Sequence, residues 1–139
     1  MVNYHPTKRL TDPDGHPAEI DIQLVPLIEA LWAAGYETIT CCQNLGESLR
    51  HIERKSDYWR GYVLLEFPID DALRLVDFVK GTKRFDRYMH WAAPGAWEMS
   101  VPLIAGYQSD DPPMIMDCVQ IRFPCDQLDD LVKVIRGPA

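Results

Sequence analysis

The residues of this chain that are best suited to chemistry lie in a polar stretch that begins with Thr40, Cys41, Cys42, Gln43 and Asn44. Residues 36–41 are rich in β-branched and aromatic side chains and are predicted to form a strand, which ends within this stretch. Binding groups often collect in polar loops at strand ends. The side-chain amides of Gln43 and Asn44 provide both hydrogen-bond donors and acceptors. We therefore predict a small binding site at residues 40–44, with Arg60 beside it. The alternative is a polar loop that satisfies only its own backbone.

Cys42 is also the candidate nucleophile of a cysteine-dependent or nucleotide-modifying enzyme. A thiol becomes a thiolate near neutral pH only beside a base or in a positive field, and the candidates for that base are His51 and His90. No third residue that would orient the histidine is evident in the sequence. Paired ligands with a spacing such as C-x-x-C are also absent, so we predict no metal and no cofactor.

A second group of candidates lies in the basic and aromatic segment over residues 80–91. Cations interleaved with aromatic rings are typical of sites for single-stranded nucleic acid or nucleotides. The alternative is a solvated connector whose aromatic side chains enter the core. A narrower hypothesis is an anionic small molecule held by Arg84 or Arg87.

Composition limits the partners that these sites could serve. The chain has 139 residues, 47% of them hydrophobic, and a formal net charge of −7. A chain of this length is the size of one domain. The negative charge of the chain argues against nucleic acid and anionic membranes as partners. No apolar run approaches the roughly 20 residues of a membrane helix. Four cysteines without an export signal favour reduced thiols and a cytoplasmic protein.

The elements that must position these residues follow from apolar spacing and turn residues. Residues 1–19 contain three prolines and an Asp-Pro-Asp-Gly turn, and we interpret them as an irregular arm. The apolar spacing from Ile20 to Leu31 predicts a first helix that ends before Gly35. Further strands are predicted over residues 61–67, 97–105 and 114–123, with helices after the second and fourth strands.

An internal repeat organises these elements into a predicted fold. The pattern Val63-x-Leu65-x-Phe67-Pro68-x-Asp70 recurs 56 residues later as Val119-x-Ile121-x-Phe123-Pro124-x-Asp126, and each copy continues into a helix that ends at glycine. We interpret residues 20–81 and 82–137 as duplicated units. The order α-β-β-α-β-β-α predicts an α+β two-layer sandwich with one four-stranded, mainly antiparallel sheet, in a ferredoxin-like or circularly permuted layout.

The segment Gly35-Tyr36-x-Thr38-x-Thr40-Cys41-Cys42-Gln43 resembles a group of small, uncharacterised bacterial and phage proteins. These share an amphipathic helix, a glycine, a strand that ends in a Cys-containing polar loop, and a following apolar strand; the resemblance covers residues 20–67. A remoter similarity is to the tRNA wybutosine-synthesis proteins, whose Ser-Cys-Ser-Gly-Arg-like signature is replaced here by Cys41-Cys42-Gln43-Asn44. Neither resemblance implies an activity.

The function expected from the sequence is therefore binding of a small molecule or a protein, and the alternative is the cysteine-dependent or nucleotide-modifying enzyme. A homodimer is expected if the sheet face that the helices leave uncovered is apolar, because an exposed apolar face usually marks a partner surface.

Overall fold

The computed structural model describes residues 6–42, 61–101, 103–104, 114–115 and 117–137 of the chain. Within these ranges it is an α+β structure, as predicted, and no helix is long and apolar enough to cross a membrane. In chain order the elements are β1 (Thr7–Thr11), β2 (Pro17–Asp21), α1 (Val25–Ala33), β3 (Thr40–Cys42), β4 (Tyr62–Phe67), α2 (Ile69–Lys80), β5 (Glu98–Ser100), β6 (Leu103–Ile104), β7 (Met114–Ile115), β8 (Val119–Pro124) and α3 (Leu128–Arg136).

The N-terminal segment is a β-hairpin rather than an irregular arm. Strands β1 and β2 pair antiparallel, from Thr7 opposite Asp21 to Thr11 opposite Pro17. The connecting turn is closed by Asp12, whose Oδ1 accepts hydrogen bonds from the backbone N–H groups of Asp14 (3.0 Å) and His16 (2.8 Å). The prediction of a turn here is confirmed, because aspartate side chains readily bond the backbone two residues on.

The described strands are divided among three sheets, so the prediction of one four-stranded sheet in a ferredoxin-like or permuted layout is wrong. The central sheet has the order β3-β4-β8-β5, and the pairs β1–β2 and β6–β7 form separate two-stranded sheets. The third predicted strand splits into β5 and β6, which belong to different sheets. The fourth predicted strand splits at the bend over residues 117–118, so that its two halves join different sheets.

The core lies between one face of the central sheet and the helices. Alternate residues of β4 and β8 point to this face and are buried, namely Val63, Leu65, Phe67, Val119, Ile121 and Phe123. Helix α2 covers β4 and β8, and α1 packs against α3. Each large apolar side chain buried in this way stabilises the fold by about 1.5–3 kcal/mol.

The pairing of the two central strands is symmetric about one point. Val63 lies opposite Phe123, Leu65 opposite Ile121 and Phe67 opposite Val119, so a local twofold axis between Leu65 and Ile121 relates β4 to β8. The helices that follow differ, because α2 has 12 residues and starts directly after Pro68, whereas α3 has 9 and follows a short 3₁₀ turn. The internal duplication stays a prediction.

Candidate functional site

The described part of the predicted site, residues 40–42, forms β3 at an edge of the central sheet. The backbone of Thr40 and Cys41 pairs with Glu66 and Leu65, and that of Cys42 pairs with Leu64. Gln43, Asn44, His51 and Arg60 lie outside the described residues. The pairing of Cys42 with a histidine, and the pocket beside Arg60, therefore stay predictions.

In the described residues, the face of the central sheet opposite the helices is mostly polar, although Leu64, which is buried, and Tyr62 also lie on it. Arg122 donates hydrogen bonds to Ser100 Oγ at 2.8 Å and to Gln120 Oε1, which holds its guanidinium along the sheet. Glu66 lies in register with Gln120 on the same face. The apolar face that would have favoured a homodimer is thus not found in these strands, and the homodimer stays a prediction.

A buried thiol sits at the edge of this polar face. Cys118 is 2% exposed, and its Sγ donates a hydrogen bond of 3.4 Å to Glu66 Oε2. Burial raises the pKa of the Cys118 thiol above its usual value, and the hydrogen bond to Glu66 raises this pKa further. Cys118 is therefore a hydrogen-bond donor to Glu66 and a poor nucleophile.

The connector over residues 82–97 contains three of the candidates, Arg84, Arg87 and His90. Its Phe85 is fully buried, as expected for a connector whose aromatic side chains enter the core, but Trp91 is 94% exposed, so the choice between a binding segment and a solvated connector stays a prediction. Arg84 Nη1 lies 2.9 Å from Asp130 Oδ1. Arg87 donates to the Tyr88 hydroxyl at 2.7 Å and lies 4.7 Å from the centre of the same ring. Both guanidinium groups thus have partners inside the domain.

One buried side chain attaches the connector to the start of α3. Gln127 is the buried polar residue of the described core; its Nε2 donates to the Gly95 carbonyl at 2.8 Å, and its Oε1 accepts from Trp97 Nε1 at 2.7 Å. The Trp97 ring also stacks on Phe123, with the ring centres 4.9 Å apart. The position of Trp97 is therefore fixed by polar and apolar contacts together.

Beside Trp97 the structure has a pocket of about 320 Å³. Its floor and walls are mostly apolar and come from α2, the 3₁₀ turn over residues 86–89, the connector that follows this turn, β5 and β8. The main contributors are Val76, Met89, Trp97, Met99 and Ile121, with Lys80 and His90 among the polar lining residues.

The pocket exists because the helix layer stops short of the edge strand. Met99 lies opposite Ile121, so both side chains face the helices. Ile121 is 1% exposed whereas Met99 is 43% exposed, so the helices that cover β8 leave β5 open. Glu98 lies opposite Arg122 instead, which places its side chain on the polar face. Mostly apolar pockets with a few polar groups are the usual form of a small-molecule site.

A second pocket, of about 330 Å³, lies between the hairpin turn and the end of α1. Several of its polar groups already have partners, since Asp12 closes the turn and Trp32 Nε1 donates to Thr38 Oγ1 at 3.1 Å. Its lining is the more polar of the two. The pocket beside Trp97 is therefore the candidate site.

His90, a candidate from the sequence, also lines this pocket. Lys80 lines it as well and belongs to the basic and aromatic segment over residues 80–91. The apolar lining was missed, because residues 76, 89, 99 and 121 are far apart in the sequence and come together only through the packing of separate elements. Within the described ranges, no three His, Cys, Asp or Glu residues form a group that could hold a metal ion.

In comparisons with protein-family models, curated proteins and solved structures, none matches this chain. The resemblance to small bacterial and phage proteins stays a prediction.

Proposed function

We propose that this chain is a non-catalytic binding domain that takes one small apolar molecule in the pocket beside Trp97. The observation that carries the proposal is the open end of the core, where the fully buried Ile121 and the exposed Met99 line the same cavity. A ligand that covers the exposed part of this lining, such as Met99, removes apolar surface from water, and that burial contributes about 25 cal/mol per Å².

The walls of the pocket support this assignment. Methionine is unbranched and polarisable, so Met89 and Met99 can adjust to ligands of different shape. Trp97 offers a flat apolar surface that Gln127 and Phe123 hold in place. A rigid ring beside two adaptable side chains favours an aromatic or short aliphatic ligand over an extended peptide, which a cavity of about 320 Å³ is too small to enclose.

The test uses N-phenyl-1-naphthylamine, a neutral dye whose fluorescence rises in apolar surroundings. We expect saturable binding to the wild-type chain and at least a tenfold weaker Kd for Met99→Glu, because the new carboxylate would have to be desolvated inside the pocket. The matched control is Leu73→Glu, which adds the same charge at a 55% exposed position of α2 outside the pocket.

Circular dichroism of both variants checks that they keep the wild-type fold. Absence of saturable binding to the wild-type chain would refute the proposal, and so would an equal loss in the two variants. The cysteine-dependent enzyme stays a prediction, and no contact among the described residues favours it over binding.

A further inference from the structure

We infer that the ligand of the pocket beside Trp97 is an apolar carboxylate, whose acidic group binds at the mouth between Lys80 and His90. This inference rests on the proposed function and adds the chemical class of the ligand. Its basis is the distribution of charge around the cavity.

Two donors at the pocket are available to a ligand. In the described part of the chain, the side chains of Lys80 and His90 make no hydrogen bond or ion pair. The lysine carries three N–H donors on a flexible apolar stem, and the imidazole carries at least one N–H donor in either protonation state. Both groups are exposed, so they reach a ligand head group without being buried themselves.

Only one of the two carboxylates in the pocket lining opposes the binding of an anion. Asp86 and Glu98 both belong to the lining. Strand alternation sends the Glu98 side chain to the opposite face of the sheet, where it lies in register with Arg122. Asp86 is thus the carboxylate that remains to oppose an anion, against one lysine and one imidazole.

The wider field has the same sign. Residues 80–91 carry Lys80, Lys83, Arg84 and Arg87 but only one carboxylate, and although Asp130 pairs with Arg84, three cations remain in a chain whose formal net charge is −7. The pocket therefore opens on a basic segment of an acidic protein. An apolar acid complements both parts of this site, because its body matches the methionines and Trp97 and its carboxylate matches the donors.

The experiment compares two ligands that share one ring system, 1-naphthoate and 1-naphthalenemethanol, by their displacement of N-phenyl-1-naphthylamine. For the wild-type chain we expect naphthoate to bind at least about fivefold more tightly than the alcohol at low salt, and the preference to shrink as salt screens the charges. In Lys80→Gln the preference should fall below about twofold, because the affinity for naphthoate falls by more than any change in the affinity for the alcohol. Lys133→Gln removes an exposed lysine of α3 outside this pocket and should keep the wild-type preference.

The outcomes separate the inference from the function on which it rests. If the dye binds but naphthoate is no tighter than the alcohol, the carboxylate assignment is wrong and the apolar site stands. If Lys80→Gln and Lys133→Gln reduce the preference equally, the effect is one of net charge and the assignment of Lys80 is wrong. If the dye itself does not bind, both the site and its ligand class fall.

Discussion

Replacement of Gln127 by leucine should detach the connector over residues 82–97 from the start of α3. Leucine keeps the approximate volume of the side chain but removes both of its hydrogen bonds. The Gly95 carbonyl then loses its donor at 2.8 Å, and Trp97 Nε1 loses its acceptor at 2.7 Å. These two contacts join residues that are about 30 positions apart in the sequence, so no local hydrogen bond replaces them directly.

The magnitude follows from the burial of the groups left behind. A buried donor or acceptor without a partner costs about 1–3 kcal/mol. Gly95 and Trp97 are half-buried rather than fully buried, so the lower end of that range applies to each. Two such groups at about 1 kcal/mol each predict that Gln127→Leu lowers the free energy of unfolding by about 2 kcal/mol.

Urea unfolding, followed by tryptophan fluorescence and by circular dichroism, measures the change. Trp97→Phe supplies the second arm of a double-mutant cycle, since it removes the indole donor and keeps an aromatic ring over Phe123. We expect the double variant to be more stable than the sum of the single losses by about 1 kcal/mol, because the bond between the two side chains is lost only once. A loss below about 0.5 kcal/mol for Gln127→Leu, or strict additivity in the cycle, would show that this glutamine does not hold the connector.

Three further outcomes are expected. Gly95→Ala should lower the stability more than Gly35→Ala, as thermal unfolding of both variants would measure. Both glycines have a positive φ, 76° and 88° respectively. A Cβ at Gly95 would lie 2.9 Å from Gln127 Nε2, whereas one at Gly35 would meet nothing within 4 Å. In the native chain, Cys125 should react with a thiol reagent near pH 8 well before Cys118, because Cys118 is buried and its pKa is raised by that burial and by Glu66; mass spectrometry of the labelled peptides reads the order. Because its pKa is raised, Cys118 holds its proton more tightly in the folded state than in the unfolded state. This contribution to the free energy of unfolding is present at neutral pH and is lost as the pH rises through the alkaline range. In unfolding titrations at different pH values, Cys118→Ala should reduce this pH dependence.

The parts of the fold that the sequence predicts best are those with strong local signals. The apolar run before Pro68 was predicted as a strand over residues 61–67, and it forms β4. The following helix ends at Gly81 as predicted. The helix begins at Ile69, directly after Pro68, and Asp70 and Asp71 lie in its first turn. Those carboxylates still stabilise the helix through its dipole.

The first helix illustrates what local spacing does not resolve. Ile20 fits the apolar stripe, and it is buried, but it belongs to β2 and reaches the core from the hairpin. The helix begins instead at Val25, which places Pro26 in its first turn, where the missing N–H has no helical partner to lose. An apolar residue near the end of a strand can fall in line with the apolar spacing of the helix that follows. The sequence alone does not distinguish this arrangement from a longer helix.

The candidate pocket could not be predicted for a different reason. Its lining joins Val76 of α2 to Met99 of β5 and Ile121 of β8, which come together only through the sheet register. The sequence does identify Lys80 and His90 as parts of a basic and aromatic segment. It does not reveal that the helix layer ends before β5.

The cavity is a gap in the outer layer, and its walls differ in how far they belong to the core. Ile121, Trp97 and Met89 pack in or against the core, whereas Met99 is 43% exposed. Exchange of Met99 should therefore change which molecule the pocket accepts at little cost in folding free energy, and a library restricted to this position would be a direct means of selecting new ligands.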